Sequence, residues 1–149
     1  MTKKEFAAAL DSALKAVRKE YGFTQEKMAA VLGISKKTLV EIEKGRSSLG
    51  WTGAAAFAAI FRESCILQAQ FGGDLDDLVE ALAFAEAEPQ YPKTMGGRVW
   101  WREIWKEKGY RIQQNVVSGH CRLLDRENRR LMASFTLERV MERIKEELQ

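Results

Sequence analysis

Lys36, Lys37, Val40, Glu41 and Lys44 have the types and spacing to do chemistry on a polyanion. At about 100° per residue they share one side of a helix, and Leu39 and Ile42 fall on the opposite side. Ammonium groups donate hydrogen bonds and positive charge, a carboxylate accepts hydrogen bonds, and a valine offers methyl contact. That set suits base edges flanked by phosphates. Catalytic chemistry finds no comparable set. His120 is the only histidine, and its neighbour Cys121 points to the other side of a strand, so the two make no Cys–His dyad. No carboxylate cluster, phosphate-binding glycine loop or metal-ligand spacing occurs, so we expect no catalytic residue, no cofactor, no metal and no enzyme.

The stretch GISKKTLVEIEKGR, residues 33–46, must position these side chains. Ser35 suits an N-cap and Gly45 a helix stop. Lys36 and Lys37 then occupy the first turn, where the helix dipole repels cations. Each misplacement costs a few tenths of a kcal/mol, by the usual magnitude of about 0.3–1. A groove lined by phosphates would neutralise both. A second short helix starts at Thr24 and ends before Gly33. Ala29 is small where the two helices cross, and Gly33 supplies a positive φ between them.

Residues 18–46, RKEYGFTQEKMAAVLGISKKTLVEIEKGR, resemble the DNA-binding domain of the lambda-repressor and Cro class, the XRE family. Arg18, Gly22, Thr24, Gln25, Ala29, Gly33, Ile34, Ser35 and the run 42–46 agree with it in order and spacing. The resemblance extends more loosely over residues 5–87 and does not cover the tail. It implies that residues 35–45 form a recognition helix for the major groove of double-stranded DNA. Gln25 would bond a phosphate and brace that helix, and Ser35 would cap it with first-turn amides toward phosphates. Lys36, Lys37 and Glu41 would read bases, with Thr38 in the same DNA-facing set. Val40 would touch a thymine methyl, and Lys44 and Arg46 would contact phosphates. Arg18 and Glu43 match an internal salt bridge. Family members often continue with an Asn-Pro turn, whereas SSLGW follows here, and Trp51 is expected to pack under the next helix.

A chain of 149 residues with 46% hydrophobic and 30% charged residues has room for one ordinary domain or two small ones. Net charge is +3 but is distributed in blocks: basic to residue 50, acidic from 51 to 92, basic beyond. We divide the chain into a helix-turn-helix domain at 1–87, a linker at 88–97 and a small α+β domain at 98–149. The first holds five helices: residues 2–21 with a Thr2/Glu5 capping box, the two short helices, an alanine-rich helix through AAAFAAIFRESCILQAQF, and LDDLVEALAFAEAE stopped by Pro89. The alanine-rich helix and Leu75, Leu78, Val79 and Leu82 fit either a dimer face or internal packing. The tail is expected as α-β-β-β-α with a three-stranded antiparallel sheet. RVWWREIWKEK is its first helix, with Trp100, Trp101 and Trp105 in the core. YRIQQN, HCRLLD and RRLMASF are the strands, burying Tyr110, Ile112, Cys121, Leu123, Leu131, Ala133 and Phe135. Thr136 caps the last helix.

The overall class is therefore α+β. The expected function is a sequence-specific DNA-binding transcriptional regulator, a repressor, acting as a homodimer in the cytoplasm with no membrane segment and both cysteines reduced. One alternative is an antitoxin-like module whose tail binds a protein partner. A third reading draws on the tail's element order, which distantly resembles HicA-type ribonucleases and double-stranded-RNA-binding folds. His120 itself reads as a surface histidine.

Overall fold

The computed structural model describes residues 1–90 and 99–149. The chain divides into two compact units, Met1–Tyr91 and Pro92–Gln149. Most of the linker expected at 88–97 lies outside the described residues. The α+β class holds: among the described residues the first unit has six helices and the second four strands plus a helix.

Helix α1 (Lys3–Glu20) opens on the capping box. Glu5 N–H donates to Thr2 Oγ1 at 3.1 Å, and Thr2 N–H donates to Glu5 Oε2 at 2.8 Å. Its stripe of Phe6, Leu10, Leu14 and Val17 is fully buried. Helices α2 (Gln25–Leu32), α3 (Lys36–Glu43), α4 (Gly50–Ile60), α5 (Cys65–Phe71) and α6 (Leu75–Ala83) complete the unit. α1 packs on α3, α4 and α5, burying Leu39, Ile42, Phe57, Phe61 and Leu67 in one core. Trp51, inside α4, packs on that core and meets the Phe6 ring at 5.9 Å. Leu75, Leu78, Val79 and Leu82 pack inward as well.

Two helix boundaries differ from expectation. The alanine-rich helix is two helices, because Ser64 caps α5 by accepting from Leu67 N–H at 3.3 Å. Glu20 Oε2 accepts from Ser64 Oγ at 2.5 Å and its Oε1 accepts from Cys65 N–H at 2.8 Å, which ties the new start to α1. α6 ends at Ala83 rather than running to Pro89. Beyond Leu82 the segment has no buried side chain to hold a helix down, and Phe84 is exposed.

The second unit is a meander of β1 (Trp101–Glu107), β2 (Tyr110–Asn115), β3 (Cys121–Leu124) and β4 (Arg130–Ser134), all antiparallel, followed by α7 (Leu137–Leu148). The expected first helix is therefore a strand, and the sheet has four strands instead of three. Lys108 and Gly109 both adopt positive φ between Glu107 and Tyr110, the backbone of a two-residue hairpin turn. An irregularity in register between Glu103 and Trp105 breaks the simple alternation of β1. Trp101 and Trp105, four apart, consequently face opposite sides of the sheet. Trp105 packs on the core while Trp100 is exposed, so the three tryptophans do not form one buried cluster.

α7 lays Val140 and Ile144 over Ile112, Cys121 and Leu123. A second register shift, at Leu123/Leu124, sets Met132 opposite Leu123. Ala133 is therefore exposed instead of buried, and Phe135, beyond the strand, is exposed too. Thr136 occupies the N-cap of α7, but its side chain makes no capping bond. Cys65 is exposed, Cys121 is buried, and both are free thiols. No described helix is long and apolar enough to cross a membrane.

Candidate nucleic-acid interface

α2 and α3 meet through a turn that the sequence specifies residue by residue. Thr24 Oγ1 accepts from Lys27 N–H at 3.2 Å and starts α2. Gly33, at φ +73°, ends it, and Ile34 N–H returns to Ala29 O at 3.0 Å. A side chain at Gly33 would meet no atom but would be held in the left-handed region, so the glycine serves backbone shape alone. Ser35 then caps α3, accepting from Thr38 N–H at 3.1 Å and donating to Thr38 Oγ1 at 2.8 Å. Gly45, at φ +78°, closes the helix while Arg46 N–H donates to Glu41 O.

Leu39 and Ile42 are buried, so the orientation of α3 is fixed by its apolar side. Lys36, Lys37, Thr38, Lys44 and Arg46 are exposed; Val40 and Glu41 are half-buried. The far end is braced by Glu43. Its Oε1 accepts from Arg18 Nε and Nη2 at 3.1 and 2.8 Å, and its Oε2 accepts from Gln25 Nε2 at 3.3 Å. Arg18 Nη1 also donates to Phe23 O at 3.1 Å. The Arg18 and Glu43 side chains are only 13% and 5% exposed, so α1, α2 and α3 are tied by a charged cluster with little access to solvent. Gln25 thus bonds the end of α3 directly.

Three of the charged candidates, Lys36, Glu41 and Arg46, have partners within the protein. Lys36 Nζ lies 2.5 Å from Glu26 Oε1 on α2. The hydrogen bond from Lys36, with the Glu26 backbone and the Lys36 charge behind it, holds the Glu26 carboxyl below its ordinary range. This pair balances part of the positive charge that opens α3. Glu41 Oε1 lies 3.9 Å from Arg46 Nη1, a looser contact. Sequence reasoning missed Glu26. The signal was its place at the start of α2, which the tight turn brings beside the start of α3.

Residues 14–50 match the helix-turn-helix family model. The matched span runs from the second half of α1 to the first residue of α4. This segment is a lambda-repressor-like helix-turn-helix. The helix-turn-helix supports a DNA-binding regulator, and its two characteristic helices are α2 and α3. Neither a curated protein nor a solved structure matches the chain.

Proposed function

We propose that the protein is a sequence-specific transcriptional regulator, a repressor, that inserts α3 into the major groove of duplex DNA as a homodimer. One observation carries the reading: Lys36 and Lys37 are exposed on α3 and Lys44 at its C-cap, while Leu39 and Ile42 anchor its other side. Lys36 and Lys37 donate to guanine O6 and N7, Glu41 accepts from cytosine N4, and Val40 meets a thymine methyl. Gln25, Ser35, Thr38, Lys44 and Arg46 take phosphates, directly or through the amides of the first turn. Repression follows from occupying the site. Two copies read two half-sites about one helical turn apart.

Selection of bound duplexes from a random pool tests this. A palindromic consensus is expected, and a good bidentate contact is worth about 1–3 kcal/mol of discrimination at its base pair. Salt-sensitive binding without any consensus would sink the sequence-specific reading. Replacing Lys36 and Lys37 with alanine should reduce affinity and erase preference at the base pairs they read. Unchanged affinity, preference and salt dependence would exclude α3 as the reading element.

A further inference from the structure

In the second unit α7 covers one face of the sheet, and the register defines what the other face carries. Glu103, Gln113, Arg122 and Ala133 form one row across the four strands. Arg122 stacks its guanidinium 3.8 Å from the centroid of the Trp101 ring. The same guanidinium donates from Nε and Nη2 to Gln113 Oε1 at 3.0 and 2.8 Å. A guanidinium pinned at two nitrogens against an indole is a fixed, flat cation, ready to stack a second planar group without further ordering. Partial burial and the neighbouring Arg111 both work against its charge, and Arg111 itself lies 3.6 Å from Glu103 Oε1.

The aromatic surface continues from there. His120 meets Trp101 edge-to-face at 4.9 Å, and Phe135 follows His120 at 5.8 Å. Phe135 is 78% exposed, so its ring is open to a ligand. Charge favours a polyanion: residues 99–135 contain eight Lys and Arg against four Asp and Glu, whereas residues 137–148 of α7 contain three against four.

We propose that this sheet face binds an unpaired RNA strand, with bases stacked on Phe135 and on the Arg122–Trp101 plane and phosphates beside Arg111 and Arg130. Stacking needs base faces, which a duplex hides between its own pairs. An acidic peptide would satisfy the arginines but would give the rings no flat partner. RNA presents unpaired, splayed bases in loops and ends, and proteins take them on aromatic rings and guanidinium planes. The inference is independent of α3 and of the DNA reading.

Fluorescence anisotropy of the full chain with a labelled uridine 12-mer provides the test, with a thymidine 12-mer, a 12-base-pair DNA duplex and polyglutamate as competitors. The uridine strand should bind, and Phe135→Ala and Arg122→Lys should each weaken it by about fivefold or more, the usual effect of losing one stacked base. Lys36→Ala/Lys37→Ala should leave that affinity unchanged. Phe135 is too exposed for its truncation to unfold the sheet, and Arg122→Lys keeps the charge while losing the plane. No binding of the uridine strand, equal binding by both variants, or equal displacement by thymidine strand, duplex or polyglutamate would each overturn the proposal.

Discussion

Glu43 shows how a single carboxylate orients a helix. Its two oxygens gather Arg18 from α1 and Gln25 from α2 at the C-terminal end of α3. Arg18→Met would leave that carboxylate shielded from water without its cation. We expect a loss of about 2–4 kcal/mol in urea unfolding, since breaking a shielded pair costs more than never having it. A loss below a few tenths would show that the cluster does not hold α3. Glu26 acts in the opposite sense at the other end of the helix. It occupies Lys36 in the free protein, so Glu26→Gln should raise affinity for the selected duplex roughly twofold by removing a competing partner. An unchanged or lower affinity would count against Lys36 as a contact. The Arg18–Glu43 pair was legible because the family resemblance places both residues. The Lys36–Glu26 pair was not, because it joins side chains on two helices whose angle no spacing rule states.

At the level of elements, helices with caps were easier to read than strands with irregularities. Thr2, Thr24, Ser35, Gly33 and Gly45 mark their boundaries by chemistry that acts within three or four residues. The first strand of the sheet failed that reading for two local reasons. Its turn carries Lys108 at φ +50° where Asn or Asp would be the ordinary signal. Its register shift then sends Trp101 and Trp105 to opposite faces, although four-residue spacing mimics one helix face. The same geometry makes a prediction. Lys108→Asn should stabilise the hairpin by about 0.5 kcal/mol, because Asn tolerates the left-handed region better than Lys. Gly109→Ala should destabilise it by about 1–3 kcal/mol, since φ is +87° and the added Cβ would stand 2.6 Å from Arg126 Cγ. Thermal unfolding followed by circular dichroism reads both; matching shifts of the same sign would refute the turn assignment.

For the molecule as a whole, the charge blocks of the sequence are silent about architecture. They did not show that the basic tail is mostly sheet, because charge has no period that distinguishes strand from helix. If Lys44 and Arg46 both meet phosphates, removing each should lower the log–log salt slope of duplex binding by about one. A slope unaltered in the double variant would place the phosphate contacts elsewhere. Acid stability has a separate origin in Asp125. Burial would raise its pKa, but hydrogen bonds from Arg129 N–H, the Arg129 guanidinium and Glu127 N–H outweigh that and lower it below the ordinary carboxylate range. A carboxyl depressed on folding contributes fully above its unfolded value of about 3.9 and loses that contribution as pH falls through the folded one. Asp125→Asn should therefore lower the melting temperature at pH 7 and flatten its fall below pH 4; a parallel curve would contradict this.

The contrast between the two thiols has a practical reach. Because Cys65 stands in water at the start of α5 and Cys121 lies under α7, a maleimide dye added to the native chain should attach at one place without any engineered residue. A single fluorophore on the six-helix unit would then report on copies meeting or on duplex arriving, and the second cysteine would become reactive only as the sheet comes apart.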